Sequence, residues 1–476
     1  MTPSSENHPP GKHDASFRDP SGYVFFRQGR VFRAIDEKSA RVFGQLADQG
    51  VLDELQEEKL VVETTSVDDQ SPRDQLAHEH PSFESFLEHR RVDNITYPYE
   101  WSISMCADAA VLTLDLQMRL LRAGFSLKDA SAYNVQFVDG RPLFIDLGSF
   151  EEPARLDVWF ALGQFTRMFT LPLLLCRYCG WDMRSYFLGR LDGRNVEEVV
   201  RGLGWFERWR PRMILDVTLP ELLTRWPNRS SKGSAKSSEK KSGGDAEAQL
   251  WNLRRLRSKV SKLAAGYKPR GVWTDYERDC SYDDTAESAK KEMVAWFIES
   301  SKPGRVLDLG CNRGEYSRLA ADAGAQVTAV DADHDVIESL YRDLRNDPAR
   351  ITPMVVDICN PSPAIGYMNR ERESFFDRNR ADCVLALALA HHLLISGNLP
   401  VTAVRDMMWE LTARDLVIEF IPPEDEMFRR LLRFRKDLFG DLSLDAFREA
   451  FLARFDLLDE RPIPNSKRIM LFLRKK

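Results

Sequence analysis

Three aspartates in the second half of the chain have the type and spacing to hold one small ligand. "VLDLGCNRGEYS" reads as a strand, a glycine turn and the start of a helix, with Asp308 at the strand end and Gly310 and Gly314 in the turn. The glycines let the backbone turn tightly and approach a ligand with no Cβ in the way. This is not the dinucleotide pattern G-x-G-x-x-G, because Asn312 and Arg313 interrupt it. A pyrophosphate would be repelled by Asp308, whereas a cationic amino-acid head group would be attracted. "TAVDAD" closes the next strand with Asp331, where a carboxylate can accept both hydroxyls of a ribose. "VVDI" closes the third with Asp357, followed by Ile358, positioned to accept from an adenine amino group and to line its ring. An amino acid, a ribose and an adenine are the parts of S-adenosylmethionine.

The elements that must carry these residues alternate strand and helix from Arg305 onward. The strands are "RVLDLG", "QVTAVDA", "ITPMVVDI", "ADCVLALAL" and "RDLVIEFI". This predicts a doubly wound α/β domain. At the end, "FDLLDERPIP" and "RIMLFLRK" are separated only by "NSK", so they must be antiparallel neighbours. The fourth strand runs into "ALALAHHLL", which places His391 and His392 at a C-terminal strand end, where open α/β sheets carry their chemistry. A neutral imidazole there can take a proton from a reacting group; packing or shaping the pocket is the alternative. Glu419, at the end of "LVIEF", is a second candidate base or substrate ligand. Upstream, Tyr276 and Tyr282 in "WTDYERDCSYDD" are placed to contact a ligand or simply to pack.

These residues resemble class I S-adenosylmethionine-dependent methyltransferases. Asp308-x-Gly310-x-Asn312-x-Gly314 matches a common form of their motif I, Asp331 the acidic residue of motif II, and Asp357 that of motif III. The resemblance implies a Rossmann-like, seven-stranded sheet with an antiparallel last strand. It also implies S-adenosylmethionine bound by Asp308, Gly310, Asn312, Gly314, Asp331, Asp357 and Ile358, and a base among His391, His392 and Glu419.

The first half holds a different constellation. "GFSLKDASAYNVQFVDGRPLFIDLGSF" contains Asp129, Asn134 and an Asp146-Leu-Gly reached through a short hairpin. Kinases and small-molecule phosphotransferases space a catalytic Asp, a metal-binding Asn and a metal-binding Asp in this way. The helical pattern before it, the hairpin after it and "LDVWFALGQF" beyond resemble the order of a kinase C-lobe. The segment between Asp146 and Asp157 is too short to hold a peptide, so the similarity is to aminoglycoside-type phosphotransferases. It implies an α+β, kinase-like N-terminal domain with Asn134 and Asp146 holding magnesium and ATP. The pattern departs from that family in three places. Only Gly22 and Gly29 flank the first hairpin, so no glycine-rich phosphate loop is present. Arg33 and Lys59 stand where a lysine is needed, and Leu127-Lys128 precedes Asp129 instead of His-Arg. The alternative is an ordinary α+β domain in which the same residues cap turns.

Both halves together resemble a narrower group, bacterial methyltransferases of the host-specificity nodulation type. "ITYPYEWS", "SLKDASAYNVQF", "RPLFIDLGSFE", "NPSPAIGYMNRERESF" and "ALALAHHLL" carry this similarity over most of residues 20–476. It implies methyl transfer to an O or N nucleophile, with the N-terminal domain recognising substrate, partner or nucleotide, and supplies no acceptor. An ATP-dependent phosphotransferase with an auxiliary methyltransferase fold, or a non-catalytic nucleotide-sensing scaffold, are the competing readings.

At 476 residues the chain predicts more than one domain. The boundaries read as a disordered tail at 1–20, an α+β domain at 21–227, a Ser/Lys/Gly linker at 228–249 and the methyltransferase domain at 250–476. A net charge of −6 gives no signal for nucleic acid or a membrane surface. The odd count of seven cysteines argues against a disulfide framework, and Cys176 and Cys179 read as core thiols. The apolar stretch Val158 to Cys176 is interrupted by Gln164, Arg167 and Pro172 and reads as buried helix. The N-terminus lacks the apolar segment of a signal peptide, so a cytoplasmic protein is expected. The oligomeric state is not encoded in any feature of the sequence.

Overall fold

The computed structural model describes residues 12–218, 244–269, 284–433 and 442–476. They divide into two compact units. The first takes in Met1–Gln136, Pro142–Tyr267 and Gly366–Arg372, and the second Phe137–Arg141, Lys268–Ile365 and Glu373–Lys476.

The first unit begins with strands β1 (Gly22–Arg27) and β2 (Arg30–Ile35), an antiparallel hairpin around "QG" in which Gln28 and Gly29 both have positive φ. With β3 (Thr64–Ser66) and β4 (Ser85–His89) they form a sheet in the order β1-β2-β4-β3. Its apolar face buries Tyr23, Phe25, Phe32, Ala34, Leu76 and Phe86 together. A helix, Glu37–Asp48, follows β2 directly and is capped by Asp36, whose side chain accepts from Ser39 N. The helix Ile103–Arg122 is buried along most of its length, as its run of Ala, Leu and Met requires. After it come β5 (Ser126–Leu127), the hairpin β6 (Val135–Val138) and β7 (Arg141–Phe144), and β8 (Phe150–Glu151), paired with β5. The stretch from Val158 onward is helical from Leu162 to Cys179 with a π-turn at Thr166–Thr170, and it buries Phe165, Phe169, Leu173 and Leu174. Among the described residues no helix is long and apolar enough to cross a membrane.

Two expectations about boundaries are corrected. Residues 12–20, read as tail, are structured: Asp14–Ser16 form a 3-10 turn, His13 N donates to Val24 O, and Asp19 accepts from Arg33. The basic helix, read as opening the methyltransferase domain, starts at Gly244 and belongs to the first unit. Its Leu253, Val260 and Leu263 are buried, and Arg257 makes two hydrogen bonds to Asp115 of the helix Ile103–Arg122, at 2.6 and 2.9 Å. Spacing alone shows an apolar stripe but not which neighbour covers it. Residues 228–243 of the stretch read as a linker at 228–249, together with Tyr276 and Tyr282, lie outside the described residues.

The second unit is a seven-stranded sheet in the order β11-β10-β9-β12-β13-β15-β14. Its strands are β9 (Arg305–Leu309), β10 (Gln326–Asp331), β11 (Ile351–Val355), β12 (Ala381–Ala386), β13 (Thr412–Phe420), β14 (Phe455–Pro462) and β15 (Ile469–Lys475). β9 to β13 pair in parallel, and β15 lies antiparallel between β13 and β14. Residues alternate between two cores. Leu307, Val384, Leu416 and Leu471 enter one, and Val306, Leu385, Val417 and Phe472 the other. A sheet covered on both faces needs continuous apolar strands rather than alternating ones, which "ADCVLALAL" supplies. Strand order reverses between β9 and β12, so the ends of these strands flank a crevice of the kind where such sheets bind ligands.

Candidate active site

Three successive strand ends form one row. Asp308 lies in β9 beside Ala329 of β10, and Asp331 closes β10 opposite Val355 of β11, two residues before Asp357. The turn after β9 is held by Gly310 N and Cys311 N, which both donate to Val330 O, at 2.8 and 3.0 Å. Gly310, Asn312 and Gly314 all have positive φ. At Gly314 a side chain is excluded twice over, since an added Cβ would lie 2.7 Å from Leu340 Cδ1. Gly314 then starts the helix Glu315–Asp322.

The aspartates divide the work. Asp308 is buried, and its Oδ2 accepts from Ser317 Oγ at 2.6 Å, joining strand to helix beneath the turn. Burial pushes its carboxyl up to about 6, opposed by the Ser317 hydrogen bond. The charge therefore supports the turn from below. Asp331 accepts from Asn312 N at 3.1 Å and from Asp333 N at 2.9 Å, one bond on each oxygen. Each oxygen keeps a lone pair for a ligand hydroxyl. Burial raises this carboxyl too, against its backbone hydrogen bonds. Asp357 is exposed, oriented by Cys359 N at 2.9 Å, and Ile358 beside it is buried. Exposed Gly310 and half-buried Asn312 complete the row. A glycine turn closed to side chains, followed by carboxylates at the ends of β10 and β11, fits an adenosyl amino acid.

On the other side of the crevice, β12 leads into His391 and His392, with ring centroids 4.1 Å apart. His391 is 1% exposed and neither ring nitrogen has a hydrogen-bond partner. Burial lowers both imidazoles, His391 well below its ordinary value and His392 to about 4, with Arg468 adding to the effect. Both are neutral at pH 7.

Glu419 at the end of β13 is fully buried, and the donors it meets include Ala388 N at 2.8 Å, Lys290 Nζ at 2.7 Å and Arg468 Nη1 at 3.4 Å. Arg468 also pairs with Asp425 at 2.7 Å. Sequence reading missed Lys290, Arg468, Asp425 and Ser317. Lys290 sits in "AKKEMV", which looks like a solvated helix face, and only its partner across the fold explains its burial.

In the first unit, Asp129, Asn134 and Asp146 come together. Asp146 lies within electrostatic reach of Asp129, and the Asn134 amide stands beside it. Arg33 pairs with Asp146. Among the described residues no cluster of three or more His, Cys, Asp or Glu side chains is arranged to hold a metal; Cys176 and Cys179 are free thiols.

Residues 307–408 match the model of a methyltransferase domain. Nodulation protein NoeA of Rhizobium meliloti (strain 1021) is 34% identical over 97% of this chain and 95% of its own length. Among solved structures, N-methyltransferase NodS from Bradyrhizobium japonicum WM9 is 14% identical with a TM-score of 0.31, covering 40% of this chain and 98% of that one. Magnesium protoporphyrin IX methyltransferase from Synechocystis PCC 6803 is 17% identical with a TM-score of 0.28, covering 40% of this chain and 80% of that one. On its full-length similarity to NoeA, and on the domain that residues 307–408 match, the chain belongs to the family of NoeA and is an S-adenosylmethionine-dependent methyltransferase.

Proposed function

We propose that this protein methylates an O or N nucleophile of a small-molecule or macromolecular acceptor bound over the ends of β9 and β12. The observation that carries this reading is the row of Asp308, Asp331 and Asp357 at three successive strand ends, with the glycine turn beside the point where strand order reverses. S-adenosylmethionine supplies an electrophilic methyl group on a sulfonium. Asp331 accepts the ribose hydroxyls, Asp357 and Ile358 take the adenine, and the Gly310–Gly314 turn lies along the amino-acid part. Asp308 keeps that turn in shape.

The thioether that leaves needs no acid, so positioning accounts for most of the rate. His391 and His392 face the reacting end as neutral bases. The unpartnered nitrogens of His391 call for a polar group of the acceptor, since a buried imidazole without a partner is costly. Glu419 serves as a positioning residue, because its oxygens are engaged by Ala388, Lys290 and Arg468. The first unit recognises substrate, a partner or a nucleotide.

Calorimetry with S-adenosylmethionine tests the reading. Binding is expected, and Asp331→Ala is expected to weaken it at least about tenfold, the loss of roughly one charge-assisted hydrogen bond. Absence of binding to the folded protein, or full affinity in the variant, overturns it. Incubation with labelled-methyl cofactor and a cell extract identifies the acceptor.

A further inference from the structure

In the first unit the stretch "RGLGWFERWRPRM", residues 201–213, turns its aromatic side chains outward. Trp205 is 71% exposed, Phe206 86% and Trp209 48%. Trp205 and Phe206 lie on the short helix Trp205–Arg208, and Trp209 follows it directly. A loose backbone does not account for this exposure. Glu207 Oε2 accepts from Gly204 N at 3.1 Å, Arg208 Nε donates to Leu203 O at 3.0 Å, and Thr218 Oγ1 donates to Arg208 O at 2.7 Å. Val199, Val200, Leu203, Met213 and Val217, on either side, are all buried. The aliphatic residues tie the segment down while its three largest side chains meet water. Adjacent exposed rings of this kind mark an interaction surface.

The charge around the rings says what that surface meets. Residues 201–213 hold four arginines and one acid, Glu207. Arg201 pairs with Glu197 at 2.6 Å. The other three arginines are held by neutral oxygens. Arg208 donates to the carbonyls of Leu203 and Arg201, Arg210 to the carbonyl of Tyr178, and Arg212 to the Tyr178 hydroxyl. Among the described residues none of these three has a carboxylate partner, so their charge is uncompensated. A chain with a net charge of −6 thus carries a local cationic patch that the whole-chain figure averages away.

Tryptophan and phenylalanine flanked by guanidinium groups fit the boundary between headgroups and acyl chains of an anionic bilayer. Indole rings settle at that depth, and arginines reach back to the phosphates. A bilayer also takes protruding rings without needing a complementary pocket. The Trp205 and Trp209 rings are tilted by 56° with centroids 5.9 Å apart, so they offer no parallel slot for a nucleic-acid base.

We propose that the first unit docks peripherally on an anionic membrane surface. Trp205, Phe206 and Trp209 enter the interface, and Arg208, Arg210 and Arg212 meet lipid phosphates. This stands apart from the cofactor row of the second unit, so either reading can fail alone.

Flotation of the full chain with vesicles tests it. One set is phosphatidylcholine alone, and the other is equal parts phosphatidylcholine and phosphatidylglycerol. The protein is expected to float with the anionic vesicles, to stay behind with the neutral ones, and to be released by salt. Trp205→Ser/Phe206→Ser/Trp209→Ser keeps every arginine and is expected to lose about tenfold or more of this binding with S-adenosylmethionine affinity unchanged. Phe206→Glu alters a side chain too exposed to support the fold, and is expected to show the same direction of loss. Absence of binding to anionic vesicles overturns the proposal, as does full binding by both variants when folded by their melting curves. A dimer, or single-stranded RNA binding, that the triple variant loses while vesicles go unbound assigns the patch to another partner and also overturns it.

Discussion

Glu419 Oε2 accepts the backbone N–H of Ala388 at 2.8 Å, and Ala388 is a non-glycine residue at φ +50°. A left-handed alanine costs roughly 1 kcal/mol, and such strain persists only where surrounding structure enforces it. Here a buried carboxylate enforces it three residues before the histidine pair. The ion pairs to Lys290 and Arg468 fix that carboxylate in turn.

Glu419→Gln is therefore expected to destabilise the second unit by about 3 kcal/mol, because buried Lys290 loses the charge of the carboxylate 2.7 Å from it and Arg468 keeps only Asp425 of its two carboxylates. Urea unfolding followed by a probe in that unit measures it. Methyl transfer is expected to fall through kcat while affinity for S-adenosylmethionine stays within about twofold. A free base at Glu419 would instead give a large kcat loss with unchanged stability.

Asp308 makes stability depend on pH. Its folded-state pKa is raised to about 6 by burial, above the ordinary carboxylate value of about 3.9. The folded protein therefore holds this proton more tightly than the unfolded chain. The resulting stabilisation is complete below about pH 4 and is lost as pH rises through 6. Against Asp308→Asn, the wild-type protein is expected to gain roughly 2 kcal/mol between pH 6 and pH 4, read from denaturant midpoints across that range.

The histidines act in the opposite sense. Burial lowers His392 to about 4 and His391 below its ordinary value. Below about pH 6.5 the unfolded chain takes up protons that the folded protein refuses, so acid weakens the fold through these groups. The rate of methyl transfer is expected to show no inflection near 6.5 and to fall only as pH approaches 4. An inflection between 6 and 7 in kcat, absent in His392→Asn, would show that His392 is solvated during turnover.

Two glycines separate conformational strain from the binding turn. Gly314→Ala is expected to cost about 1–3 kcal/mol, from its positive φ and from contact with Leu340. It is also expected to weaken cofactor binding at least about tenfold. Gly324, at φ +95° with open space around it, pays only for its backbone. Gly324→Ala is expected to cost about 1 kcal/mol and leave binding unchanged. Thermal melts and calorimetry on the two variants check both.

Local pattern carried much of this fold. The run "RVLDLG…QVTAVDA…ITPMVVDI" states its own periodicity, and the short "NSK" turn forces β14 and β15 into antiparallel pairing, so the sheet and the row of carboxylates on it could be read directly. The place of Asp331 at the end of β10 was legible because a strand end and a glycine turn are neighbours whenever a sheet of this kind forms. Its bond to Asn312 N follows from the same local geometry.

Long-range pairing was not legible. Lys290 lies in a helix, Glu419 in β13 and Arg468 directly before β15, widely separated along the chain; Lys290 and Arg468 resemble ordinary surface charges until the sheet closes over them, and the strand-end Glu419 gave no sign of these partners. Arg33 looked like a poor substitute for a lysine and proved to be the partner of Asp146. Periodicity follows from which face of one element is apolar, and that is local. Whether a charge is buried, and which opposite charge repays its desolvation, depends on what packs against it, and only the folded chain brings those residues together.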